Sequence, residues 1–203
     1  MERHKLQMKT LNEIVGFVSG SPQFRIKESF DKKAPLYHFY NQMNLSDDLI
    51  GFHTMDDEGK RIHTSDKVSL LKTGDIVYSL ISGTAAIVGK FHNNYLYTQN
   101  YVKLIPGHEI VAEYLVYLLN EDKSIRKQYA EGLQGSQVLK YTLKQVKELN
   151  IYQLPLIEKQ NLAGDVYLKQ LRLQALKKRV AESETMIRLK QLEEVIINER
   201  KSI

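Results

Sequence analysis

Residues 130–167, AEGLQGSQVLKYTLKQVKELNIYQLPLIEKQNLAGDVY, divide the chain into two kinds of structure. The stretch opens as a polar loop punctuated by Gly132 and Gly135, with Ser136 and Gln137 behind them. A short amphipathic turn follows (Leu139, Leu143, Val146, Leu149), then an extended apolar run, Ile151-Tyr152-Gln153-Leu154. Pro155 ends that run, because its fixed φ and missing N–H stop strand pairing yet suit the entry to a helix. From Glu158 to about Arg200 there is no further glycine or proline except Gly164, so a long helix is expected. The pattern predicts a globular module over residues 1–157 and one long helix over 158–203.

That helix carries Leu162, Val166, Leu173, Leu176, Val180 and Ile187 at three- to four-residue steps, close to a heptad seam, with Lys169 and Ser183 interrupting it. After Ile187 the stripe moves to Leu189, Leu192 and Ile196, a phase shift that perturbs supercoiling locally. About 43 residues at roughly 1.5 Å each make a rod of roughly 60 Å. Such a rod is too long to bury its seam against the preceding module alone, so a partner helix is expected, and the six seam residues are its expected dimer interface.

The 203 residues hold 29 Lys and Arg against 24 Asp and Glu, a net charge of +5. The balance permits binding to a phosphate backbone without requiring it. With no cysteine, disulfides and cysteine-based zinc sites are excluded. No apolar run approaches the roughly 20 residues that span a bilayer, and MERHKLQMKT lacks the core of a secretory signal. A cytoplasmic protein without membrane attachment is expected.

Upstream, Leu11, Ile14, Val15, Phe17 and Val18 lead to a turn at Gly20-Ser21-Pro22. Tyr37, Phe39 and Tyr40 are expected strand anchors. Residues 47–59 are read as an acidic loop by composition. Val68–Leu71, Ile76–Ile81 and Ala85–Gly89 are read as an antiparallel meander, Asn94–Pro106 as a further alternating strand and Ile110–Leu119 as a helix. The class is therefore α+β: a small antiparallel or mixed sheet with short helices, then one long coiled-coil helix.

The junction, from Gly135-Ser136-Gln137 through Leu149-Asn150-Ile151-Tyr152-Gln153-Leu154-Pro155 to Glu158-Lys159-Gln160 and Leu162-Ala163, resembles the end of a target recognition domain in the DNA-specificity (S) subunit of type I restriction–modification systems. In that family a glycine–serine loop, a proline-rich step, an E-Q step and a hydrophobic–alanine pair precede a conserved helix. Ile151-Tyr152-Gln153 departs from it by lacking the first proline. The opening phrase TLNEIVGFVSGSPQ and the later LKTGDIVYSLISGTAAIV resemble two further segments of the family, with Ala86 where a glycine is common. The resemblance covers roughly residues 8–167.

It implies a non-catalytic subunit that reads double-stranded DNA through loops of a target recognition domain. Methyltransferase and restriction subunits are its implied partners, and S-adenosylmethionine and ATP would be bound there, leaving this chain without a cofactor. A full-length member carries two recognition domains and two helices. This sequence carries one of each, so a half-subunit is implied that forms a homodimer, or pairs with another half, through the rod.

The loop residues suited to DNA contact are Ser21, Gln23 and Arg25; Lys60, Arg61 and His63; Ser82 and Thr84; His92 and Asn93; and Gln134, Ser136, Gln137 and Lys140. Arg and Lys pair with phosphates or guanine edges, and Asn and Gln read adenine. Two other functions are weighed. A coiled-coil adaptor whose head binds protein accounts for the charge and the rod equally well. A nuclease rests only on Asp48, Glu58 and Lys60, which imitate a metal-binding D…E-x-K triad but place a glycine inside it. The glycines form no nucleotide-binding motif, and the six histidines show no metal-ligand spacing, so no metal or catalytic residues are assigned.

Overall fold

A computed structural model describes residues 8–31, 33–53, 59–132 and 141–201, with side chains to residue 197. In chain order the elements are β1 (Lys9–Thr10), α1 (Leu11–Ile14), β2 (Val15–Ser19), a 3-10 turn (Gln23–Arg25), β3 (Leu36–His38), α2 (Gln42–Ile50), β4 (Arg61–His63), β5 (Ile76–Ser79) and β6 (Ala85–Ile87). There follow a second 3-10 turn (Lys90–His92), β7 (Tyr101–Pro106), α3 (Ala112–Glu121), α4 (Lys123–Gly132), α5 (Leu143–Lys147), β8 (Asn150–Ile151) and α6 (Ile157–Lys201). The α+β class with a long terminal helix is as the sequence predicts.

The central sheet is antiparallel, in the order β2-β7-β5-β6. Its inner strand β5 is buried on both faces, and period-two alternation divides its side chains between two cores. Ile76 and Tyr78 join Leu104, Leu115, Leu119 and Ile125 under α3 and α4. Val77 joins Tyr40, Leu45, Val88 and Tyr101 under α2. The head therefore has three layers, with the sheet in the middle.

Several local expectations change. Asp47 and Asp48 lie in α2 rather than in a loop. Asn41 caps that helix through its side chain, which accepts from the N–H groups of Met43 and Asn44, and Gly51 closes it at φ 63°. Val68–Leu71 contributes only a bridge from Leu70 to Leu96, and of 94–106 only Tyr101–Pro106 is strand. The meander is reduced to the β5–β6 hairpin, because β7 returns to the other edge of β5. The predicted 110–119 helix runs from Ala112 to Glu121, and Ile151–Leu154 pairs only at its start. In each case the polar neighbours that set a strand's limits are tertiary, not local.

The junction is tied to the start of the chain. β1 pairs with β8, Thr10 opposite Asn150, and the Leu11 N–H donates to Leu149 O at 2.8 Å. At the base of α6 the buried Gln160 accepts from the Val111 N–H at 3.1 Å and donates to Glu109 O and Pro155 O at 2.9 and 2.8 Å. One turn on, a Cβ added at Gly164 would stand 2.6–2.7 Å from the backbone and Cβ of Glu113 and the N of Tyr114. The glycine thus lets α6 cross α3 at backbone contact. Farther along, the Arg179 guanidinium sits over the Phe52 ring at 4.5 Å, beside α2.

Candidate nucleic-acid interface

The loop after β2 is held open by its backbone. The Gln23 N–H donates to Gln99 Oε1 at 2.7 Å, the Lys27 N–H to Asp66 Oδ2 at 2.8 Å, and the Ser29 N–H to His63 O at 2.8 Å. β3 and β4 pair beside it, Leu36 opposite His63 and His38 opposite Arg61. Two of the residue groups singled out in the sequence, Gln23 with Arg25 and Lys60 with Arg61 and His63, thereby lie on neighbouring segments at one surface region of the head.

Over residues 23–33 and 59–67 that region exposes Arg25, Lys27, Lys33, Lys60, Arg61 and Lys67 against Glu28, Asp31 and Asp66 among the described residues. It also exposes two phenylalanines, Phe24 at 79% and Phe30 completely. The Arg25 guanidinium lies 5.5 Å from the Phe24 ring centroid, and the Lys60 ammonium 5.2 Å from that of Phe39. Excess positive charge beside exposed aromatic rings, on a loop fixed by backbone bonds, is suited to a phosphate backbone and to the apolar faces or methyl groups of bases. His63 is half-buried, its Nδ1 bonded to Ala34 O at 2.9 Å.

Other candidate residues lie elsewhere. Ser82 and Thr84, on the β5–β6 turn, line a cleft of about 560 Å³ with Asn120, Arg126, Tyr129, Tyr141 and Tyr167. Asn93 is exposed but its Oδ1 accepts from the Thr73 N–H. Two of the candidates are committed to the fold. Ser21 is buried and its Oγ accepts from the Ser69 N–H at 2.8 Å. His92 is 1% exposed. Gln134, Ser136, Gln137 and Lys140 lie outside the described residues.

The imitation of a nuclease triad fails at Asp48. Its carboxylate accepts from the Gly89 N–H at 2.9 Å, from His92 Nδ1 at 2.7 Å and from the Tyr40 hydroxyl at 2.7 Å. Its side chain is 3% exposed. Burial, with the Asp48 charge beside it, pushes the Tyr40 phenol far above its ordinary range. Lys60 points to Phe39 instead, and Glu58 lies outside the described residues. Sequence spacing missed the surroundings of Asp48, because α2, the residues after it and the Lys90–His92 turn meet only in three dimensions. It also missed Phe24 and Phe30, whose exposure no local pattern reveals.

On the rod, Leu162, Val166, Leu173, Leu176, Val180 and Ile187 are each between 41% and 66% exposed. The helix face turned to the head is a different one, with Gln160, Ala163, Gly164, Tyr167 and Leu168. The seam is left open along its length.

The three-layered α+β head with its docked terminal rod is similar in fold to a little under half of solved type I restriction–modification S subunits. The chain is similar to the HsdS subunit from Thermoanaerobacter tengcongensis, with 17% identity and a TM-score of 0.57, over 98% of this chain and 45% of that one. It is similar to a chain in a structure concerned with complex assembly and conformational transition of the type I system (19%, 0.60, covering 98% and 46%). A third likeness is to the S subunit of the type I system from M. genitalium (16%, 0.52, covering 90% and 44%). The resemblance read in the sequence thus holds for the fold, and the chain spans somewhat under half the length of the structures it matches. No known family profile matches the sequence, and no curated protein matches it significantly. Among the described residues no helix is long and apolar enough to cross a membrane.

Proposed function

We propose that this chain is a DNA-recognition half-subunit of a type I restriction–modification system, itself non-catalytic, acting in the cytoplasm. Residues 1–157 form its target recognition domain and 158–203 its spacer. The observation that carries this reading is the extent of the likeness: head and rod together, 98% of the chain, correspond to a little under half of an S subunit. The face of Arg25, Lys27, Lys60 and Arg61, with Phe24 and Phe30, meets the duplex. The open stripe from Leu162 to Ile187 packs on the rod of a second half. Methyltransferase and restriction subunits, docked on the assembled pair, supply the chemistry.

Two identical heads related by a two-fold axis read two inverted copies of one short half-site, separated by an unread gap. Mapping methylated sites in the host with and without the gene identifies that target. An uninterrupted, asymmetric target would sink the half-subunit reading. On the mapped duplex, affinity of the purified chain should fall steeply with salt, by a log–log slope of about −0.9 per phosphate neutralised. Arg25→Ala and Lys60→Ala should lower that slope if their contacts are to phosphate. An adaptor that binds protein through this head would show no salt-dependent preference for any duplex.

The rod as ruler has its own test. Deleting seven residues beyond the head contacts, Leu189 to Val195, keeps heptad phase and shortens the rod by roughly 10 Å. The preferred gap should shrink by about three base pairs in competition against a series of gap lengths. An unchanged optimum means that something other than the rod sets the gap.

A further inference from the structure

Three side chains converge beneath α2 without a role in the reading above. Asp47 lies in the last turn of that helix, His53 two residues past its closing glycine, and His92 ends the 3-10 turn after β6. Each offers one ligand atom, and the three atoms lie within 4.8 Å of one another. His53 Nδ1 is buried and hydrogen-bonds to nothing. Its distance to Asp47 Oδ2, 3.8 Å, is too long for a hydrogen bond. A ring nitrogen removed from water and left unpaired is costly, and native folds rarely keep one without a reason.

The tautomer of His92 is set by its neighbours. Asn44 Oδ1 accepts from the Asn41 N–H at 2.9 Å, which turns the Asn44 amide nitrogen toward His92 Nε2 at 3.3 Å. His92 Nε2 is therefore the acceptor, and Nδ1 carries the hydrogen given to Asp48 at 2.7 Å. Behind the ring, Asp48 is itself held by the Gly89 N–H and the Tyr40 hydroxyl. A carboxylate anchored in this way, gripping the far nitrogen of an imidazole, is the outer-shell arrangement that orients histidines toward a metal. The other imidazole is fixed by stacking: Phe91 lies on His53 at 4.5 Å and 8° between planes.

We propose that Asp47, His53 and His92 form a binding site for a divalent transition metal, zinc in the first instance. Two imidazoles and one carboxylate are a borderline donor set that suits zinc and its neighbours, whereas magnesium and calcium take oxygen ligands. Zinc ligands about 2.0–2.2 Å from the ion stand roughly 3.4 Å apart in a tetrahedron, so atoms now within 4.8 Å of one another draw together by at most about 1.4 Å. The long Asn44 contact gives way, and water takes the fourth position. The ion ties the end of α2 to the Lys90–His92 turn, directly beside Phe52, on which Arg179 of the rod rests. It is a brace for the head near its contact with the rod.

The site is tested on the full chain, freed of metal with a chelator and titrated calorimetrically with zinc. Cobalt absorption in the visible range reports the geometry. One ion per chain is expected, with a tetrahedral cobalt spectrum and a melting temperature raised by zinc. His53→Gln and Asp47→Asn should each weaken binding at least about tenfold, as loss of a ligand does, while His108→Gln, at an exposed site, changes nothing. No binding, binding left within twofold by both ligand variants, or binding removed by His108→Gln overturns the proposal. If the variants fail to fold, the imidazole nitrogen shifts of the unaltered chain decide. Zinc should move those of His53 and His92 and leave His108 in place; unmoved His53 and His92 overturn it equally.

Discussion

The head and the rod handle apolar side chains in opposite ways. Every residue of β5 is buried, and Tyr78, Leu115 and Leu119 are within 1% of complete burial. Leu173, Leu176 and Val180 keep 41–57% of their surface in water. Burying a leucine or valine side chain is worth about 1.5–3 kcal/mol, so the head has collected this stabilisation and the rod has left it uncollected. A helix of 45 residues without a packed face is marginal beyond its docked turns. The head thus has a closed core, and the rod leaves an apolar stripe in water, as the proposed pairing with a second rod requires.

That contrast can be broken most sharply at the seam. Replacing Leu173, Leu176 and Val180 together by Ser should convert the purified protein to monomer by light scattering, with the melting of the head little changed. A variant that stays dimeric places the interface elsewhere. Next in size is the core: Leu115→Ala should cost about 2–5 kcal/mol in urea unfolding. Leu173→Ala, measured where the chain is monomeric, should cost less than about 0.5 kcal/mol. Equal costs would erase the distinction between the two regions.

The joint between them gives an intermediate effect. Gly164→Ala adds a methyl where backbone atoms of Glu113 and Tyr114 stand under 3 Å away. Alanine favours a helix over glycine by about 1 kcal/mol, but overpacking of this kind costs about 1–3 kcal/mol. The clash is with backbone, which cannot swing aside, so net destabilisation is expected, together with faster proteolysis at the base of α6. Increased stability would mean that the two helices separate freely.

The smallest effect is electrostatic. Lys9 binds both Glu109 oxygens, at 2.6 and 2.8 Å, and this contact holds the Glu109 carboxyl below its ordinary range. A carboxyl lowered in the folded state adds stability above its unfolded pKa, and loses that contribution as pH falls through the folded value. Both side chains are 38% exposed, so the contribution is slight. Lys9→Met should raise the Glu109 pKa in an NMR titration and flatten the acid limb of stability by a small amount. An unmoved carboxyl would show the pair to be broken in solution.

The junction phrase was legible because each of its residues has a local task as well as a tertiary one. Pro155 cannot donate to a strand ladder, and the long run after it without a further proline favours a helix locally. What Gln160 and Gly164 do was not legible. The first joins α6 to the chain entering α3, and the second admits α3 at backbone distance, so these two residues of the motif serve the joint between head and rod. α2 left readable marks, Asn41 before it and Gly51 after it, but the acidic composition of Asp47, Asp48 and the following residues outweighed them. For the candidate interface, the basic residues were visible one by one. That the segments of Arg25 and Lys60 are neighbours, and that Ser21 and His92 turn inward, depends on bonds between residues tens of positions apart, such as Ser29 to His63.

The sequence by itself determined the rod, its seam and the α+β class, because helix periodicity, proline and glycine act over a few residues and need no distant partner. Only the tertiary structure decided the sheet order β2-β7-β5-β6, the pairing of Thr10 with Asn150 and the meeting of Asp47, His53 and His92. Those contacts join segments whose sequence separation carries no periodic signal. They are fixed by which surfaces bury together once the whole head has closed.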